Sequence, residues 1–124
     1  MSEKLEILLV ENDDINKSVI KAYLKHNYNV EIVENGPDAI EAVKNKQFDL
    51  ILMDINLGRG MSGIDVTRKI RTFPGYETTP IIAVTAFALE GDREEFLDAG
   101  CSNYLSKPFL KSQLLDIIQQ SINT

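Results

Sequence analysis

The chain has 124 residues, with 13 Lys and Arg against 19 Asp and Glu, giving a formal charge of −6. Its 44% apolar and 26% charged residues suit one compact domain over residues 1–124, exclude a disordered tail, and the acidic balance opposes nucleic-acid binding. No apolar run approaches the roughly 18 residues of a membrane span, the start MSEKLE lacks a signal-peptide pattern, and the single cysteine fits a cytoplasmic home without membrane insertion. The first apolar run is 5–10 (LEILLV). Asp13 or Asp14 then caps a helix whose expected inner face is Ile15, Val19, Ala22 and Tyr23, ending near His26. A short run at 30–33 precedes Asn35-Gly36-Pro37, which opens a second helix with Ala39, Ile40 and Val43 inward. The third run, 48–54 (FDLILMD), ends in an acid. Gly58, Gly60 and Gly63 predict a flexible loop before a helix with Ile64, Val66 and Ile70. Run 80–85 (PIIAVT) precedes a helix around 92–99 closed by Gly100. Run 103–106 leads through Lys107-Pro108 to a last helix bearing Leu110, Leu114, Ile117 and Ile118.

Five strands thus alternate with five helices. Runs one, three and four are almost continuously apolar, as strands are when helices cover both faces of a parallel sheet. The expected fold is α/β: a doubly wound, five-stranded parallel sheet of order 2-1-3-4-5, flavodoxin-like, with its ligands at the carboxyl ends of the strands. Those ends carry Glu11-Asn12-Asp13, Asp54, Thr85-Ala86 and Ser106-Lys107-Pro108. Acids brought to one edge repel each other unless a cation joins them, and a divalent ion held by carboxylates, a carbonyl and waters is the usual Mg²⁺ arrangement. A lysine aimed at the same place suits a phosphoryl group. A carboxylate can attack phosphorus to give an aspartyl-phosphate.

The stretches LLVEN with Asn16, LILMDIN with Asp54, AVTAFALEGD with Thr85, and AGCSNYLSKPF with Lys107 resemble the receiver domain of two-component response regulators. The resemblance spans about 5–118, and its wording is similar to single-domain regulators and to receivers of hybrid histidine kinases. It implies that Asp54 is the phosphoacceptor, with Glu11, Asn12, Asp54 and the Asn56 carbonyl at a Mg²⁺ site. It further implies Thr85 as the switch hydroxyl, Ala86 as the small residue giving access, Lys107 as the phosphoryl partner before a cis Pro108, and Tyr104 as the aromatic switch. Implied partners are a histidine kinase or histidine phosphotransfer protein as donor and a downstream protein target. They meet a monomer or a phosphorylation-dependent dimer. The chemistry is self-phosphorylation and self-dephosphorylation only, so the chain is not expected to be an enzyme toward a separate substrate.

Two departures from the family pattern stand out. Asn12 occupies the place of a metal-binding acid. At an effective dielectric of ~20 a unit charge at ~4 Å contributes roughly 4 kcal/mol before desolvation, so Mg²⁺ affinity should be weakened, unless Asp13 leans in. The loop after Asp54 has Gly58 and Arg59 where the family carries a proline nearby, placing Arg59 either beside the phosphoryl site or in water. Phe87, two residues past Thr85, is a candidate shield for an acyl phosphate. Asn12 also motivates the alternative of a degenerate receiver acting as a phosphorylation-independent binding module. A flavin carrier of the same topology needs a hydroxyl- and glycine-rich loop where this chain has acids, and no nucleotide-binding G-x-x-x-x-G-K-[ST] run exists. The remaining candidates read blandly: His26 at a helix end, and Cys101 as a small packed residue.

Overall fold

The computed structural model describes residues 4–58, 60–86 and 90–123, with Glu90 and Gly91 by backbone alone. Among these the elements alternate without exception: β1 (Glu6–Val10), α1 (Asp14–Leu24), β2 (Asn29–Val33), α2 (Gly36–Asn45), β3 (Leu50–Asp54), α3 (Gly63–Ile70), β4 (Ile81–Thr85), α4 (Glu90–Ala99), β5 (Asn103–Ser106) and α5 (Lys111–Ile122). The strands are all parallel and ordered β2-β1-β3-β4-β5. Strand order reverses between β1 and β3, which run side by side with Val10 opposite Met53. That reversal opens the crevice at the carboxyl edge where such folds bind ligands.

Alternation along the strands sends side chains to two separate cores. Leu8, Val10, Ile51, Met53, Ile81 and Ala83 pack with Ala39 and Val43 of α2, Val66 and Ile70 of α3 and Phe96 of α4. Ile7, Leu9, Leu50, Leu52, Ile82 and Val84 face the other way, against Ile20 and Leu24 of α1 and Leu114 and Ile118 of α5. β3 and β4 are buried along their whole length, as a central parallel strand must be. Each fully buried aliphatic side chain contributes roughly 1.5–3 kcal/mol.

Three local expectations are corrected. The inner face of α1 is Ile20 and Leu24 with Tyr23 packed beside them; of the expected stripe, Ile15 is 74% exposed and Val19 37%. Ile15 lies about 140° around the helix from Ile20, so both stripes look equally periodic, and packing against Ile7 and Leu9 chooses between them. Leu110 precedes α5 as its N-cap and is 66% exposed, so it is not part of the inner face. Gly63 belongs not to a loose loop but to the buried first turn of α3. A Cβ built there would lie 2.2 Å from the Asp54 carbonyl oxygen and 2.8 Å from Ile55 Cα. Glycine is therefore required for α3 to approach the end of β3, whereas Gly58 and Gly60 do adopt positive φ in the loop. Cys101 is buried as expected, its thiol 3.9 Å from the Thr67 hydroxyl.

Candidate functional site

The carboxyl ends of four strands meet in a cleft of about 200 Å³ lined by Glu11, Asn12, Asp13, Asn16, Asp54, Asn56, Ala86 and Lys107. A larger groove, about 850 Å³, runs along the outer edge of β2 between α1 and α2. Its lining includes neither Glu11 nor Asp54.

Glu11 follows β1 and is only 1% exposed. Its Oε1 accepts a hydrogen bond from Lys107 Nζ at 2.9 Å, and its Oε2 accepts one from the Asp13 backbone N–H at 3.2 Å. Asp13 is the N-cap of α1, its carboxylate accepting the Asn16 N–H at 2.8 Å. The Asp13 carboxylate thus serves the helix end, where an orphan N–H and the positive helix terminus both favour it, while the residue also lines the cleft. Asn12 donates from Nδ2 to the Leu57 carbonyl at 3.3 Å.

Asp54 closes β3 and is 4% exposed. Its Oδ1 accepts the Asn56 N–H at 3.1 Å and lies 3.6 Å from Lys107 Nζ. Burial first, and then the neighbouring Glu11 carboxylate, push the Asp54 pKa up to about 7; Lys107 and the Asn56 N–H oppose the rise without cancelling it. Thr85 ends β4 at 5% exposure, and its carbonyl accepts the Lys107 N–H at 2.8 Å, which fixes the lysine backbone at the rim. The Lys107–Pro108 peptide is cis. Tyr104 sits on β5 opposite Ala83, half-buried, with its ring centroid 6.4 Å from that of Phe96 and the Arg93 guanidinium 5.8 Å away.

The structure thus gathers Glu11, Asn12, Asp54, Asn56 and Lys107 around one cleft, with Ala86 on its wall and Thr85 directly before it. Tyr104 stands apart, against the α4 side of the sheet. Arg59 and Phe87 lie outside the described residues.

Two buried carboxylates face one ammonium, so the cleft keeps a net negative charge. The raised Asp54 pKa reflects burial first and that imbalance second. Among the described residues no three acids, histidines or cysteines cluster as metal ligands. A cation here therefore rests on two carboxylates and neutral oxygens, the Asn12 amide and the Asn56 carbonyl. This is a hard-oxygen set, and Mg²⁺ is commonly held by one or two carboxylates plus waters. The residues fit such an ion.

Two contributors escaped the sequence reading. Arg71, at the C-cap of α3, donates to the Gly100 carbonyl from Nε at 3.0 Å and Nη2 at 2.7 Å, and to the Tyr76 carbonyl from Nη1 at 2.7 Å. It fastens the end of α4 to α3. The Leu57 carbonyl is the other, and a backbone acceptor has no signature in a sequence.

Comparison with known proteins identifies the family. The response regulator receiver domain family matches residues 7–119. The receiver domain of a sensor histidine kinase from Pseudomonas aeruginosa, described with a magnesium ion coordinated in its active-site cleft, superposes with a TM-score of 0.90 at 41% identity, covering 98% of this chain and 100% of that one. The autoinducer 2 sensor kinase/phosphatase LuxQ of Vibrio vulnificus is 43% identical over 90% of this chain, which spans only 13% of that protein. The polar-differentiation response regulator DivK of Brucella anthropi is 32% identical over 91% of this chain and 92% of its own length. No helix among the described residues is long and apolar enough to cross a membrane. The chain belongs to the response regulator receiver domain family of two-component signalling.

Proposed function

We propose that Asp54 accepts a phosphoryl group from the phosphohistidine of a histidine kinase or phosphotransfer protein, and that the acyl phosphate changes a protein-binding surface. The observation that carries this reading is the buried Asp54 carboxylate with Lys107 Nζ at 3.6 Å, and Glu11 bound to the same ammonium, at the open carboxyl edge of the sheet. In-line attack by an Asp54 oxygen on phosphorus forms the P–O bond as the donor's P–N bond breaks, and the departing imidazole keeps its electron pair and is protonated. Asp54 must be ionised to attack, and a proton held up to about 7 opposes this at neutral pH. Mg²⁺ held by Glu11, Asn12, Asp54 and the Asn56 carbonyl would supply positive charge that drives off this proton and neutralises the phosphoryl oxygens. Lys107 contributes a second positive charge at a fixed place, since its backbone is tied to Thr85.

Ala86 lines the cleft beside Asp54 and Thr85 directly precedes it, and in this reading the Thr85 hydroxyl is the hydrogen-bond partner of the phosphoryl group. Movement there reaches the half-buried Tyr104 and the surface formed by α4, β5 and α5. Asn12 weakens cation binding relative to an acid, because an amide brings no charge. Hydrolysis of the acyl phosphate returns the domain to rest, and no separate substrate is turned over.

The test is incubation with acetyl phosphate, with and without Mg²⁺, read by intact-protein mass. One Mg²⁺-dependent phosphoryl unit, absent in Asp54→Asn, is the expected result. A second reading, a phosphorylation-independent binding module, draws on the shortage of acids in the cleft. It predicts no adduct with any donor and no Mg²⁺ binding.

A further inference from the structure

The segment between β3 and α3 turns sharply beside Asp54, its base tied by the Ile55 N–H to the Val84 carbonyl at 3.0 Å and the Gly63 N–H to the Ile55 carbonyl at 2.9 Å, and three further hydrogen bonds shape the Asn56–Gly58 turn itself. Two are local: the Asn56 N–H to Asp54 Oδ1 at 3.1 Å, and the Gly58 N–H to Asn56 Oδ1 at 3.3 Å. The third comes from across the cleft, where Asn12 Nδ2 donates to the Leu57 carbonyl at 3.3 Å. The Asn12 amide lies directly against the turn, since a Cβ built on Gly58 (φ +81) would sit 3.5 Å from Nδ2. Leu57 itself is 6% exposed and packs in the α2–α3 core, so the tie joins a loop already anchored on its inner side.

An ionised carboxylate accepts and never donates. An aspartate at position 12 would turn an oxygen toward the Leu57 carbonyl oxygen, and the cross-cleft bond would be lost. The amide therefore exchanges one negative charge in the cleft for one donor toward the loop. We propose that Asn12 is a positioning residue that holds the Asp54–Gly58 turn, and with it the Asn56 carbonyl, in its receptive shape before any cation arrives. This rests on the reading of Asp54 as phosphoacceptor. The amide nitrogen serves the loop, so a cation would meet a turn already shaped.

The test compares wild type, Asn12→Ala and Asn12→Asp by NMR amide exchange in metal-free buffer, on the full 124-residue chain. Both variants remove the donor, and both should speed exchange of the Asn56 and Gly58 amides roughly two- to tenfold, the worth of one net hydrogen bond. Amides of β4 and α5 should stay at wild-type rates, which separates a local effect from general loosening of the fold. Wild-type exchange at Asn56 and Gly58 in either variant overturns the proposal, because the donor is then not what holds the turn. The readout involves no phosphoryl donor. Labelling of Asp54 with unchanged exchange removes only the positioning role, and faster exchange without labelling removes only the phosphoacceptor reading.

Discussion

Replacing Asp54 by Asn should make the metal-free protein more stable at neutral pH, and the gain should depend on pH in a defined way. A carboxyl with an ordinary pKa of 3.8 is held up to about 7 in the folded chain, chiefly by burial and then by Glu11. The folded state thus binds the proton more tightly than the unfolded one. The associated stability is fully present below about pH 4 and is lost as pH rises through about 7. At ~1.4 kcal/mol per tenfold, the full loss would approach about 4 kcal/mol. Water entering the open cleft and adjustment of Lys107 reduce this, and about 1–3 kcal/mol is the expected difference. Asparagine removes the titration while retaining the shape. Urea unfolding in EDTA from pH 4 to pH 8 should show the two proteins converging at the acid end, Asp54→Asn pulling ahead progressively above about pH 4, and the gap levelling off above about pH 7. Mg²⁺ should restore stability to wild type alone. Parallel pH profiles for the two proteins would refute the claim that Asp54 sits in an uncompensated negative cleft.

Other consequences follow from the same geometry. Lys107→Met leaves Glu11 and Asp54 without their ammonium; at pH 8 without metal it should cost about 2–3 kcal/mol in urea unfolding and slow acetyl-phosphate labelling at least tenfold, and wild-type values for both would count against the ion-pair network. Gly63→Ala drives a Cβ into the Asp54 carbonyl at 2.2 Å, so a loss of about 2–4 kcal/mol is expected; an unchanged melting temperature would mean that α3 is not pressed on the end of β3. Arg71→Gln removes charged donors from the Gly100 and Tyr76 carbonyls. It should cost about 2–3 kcal/mol and speed amide exchange at Gly100 and Cys101, whose N–H groups bond back to Leu97 and Phe96. Unchanged exchange there would show that Arg71 does not hold the end of α4.

The topology was legible because each signal was local and repeated. Nearly continuous apolar runs at 48–54 and 80–85 are what a parallel sheet covered on both faces gives, and a strand-end rule then points to Glu11, Asp54 and Lys107. Legibility failed where the deciding partner is distant in the chain or is backbone. Ile15 and Val19 form as good a stripe as Ile20 and Leu24, and only the sheet face against which α1 packs separates them. Gly63 resembled its loop neighbours, although its role is set by a carbonyl nine residues earlier, at Asp54. Asn12 read as the loss of a charge, since nothing in a sequence announces that its nitrogen faces the Leu57 carbonyl. Asp13 lines the cleft, and which of Asp13 and Asp14 caps α1 emerges only once the helix is built, with the Asn16 N–H on Asp13.

If phosphoryl transfer ends on Asp54, mapping the modified residue will show it. The chain is labelled with acetyl phosphate and Mg²⁺, treated with borohydride to reduce any acyl phosphate to an alcohol, digested, and sequenced by tandem mass spectrometry. Homoserine in place of Asp54, with Glu11 and Asp13 unmodified, is the predicted outcome. Reduction at another carboxylate, or a phosphoryl group on a residue that borohydride leaves intact, would contradict the account.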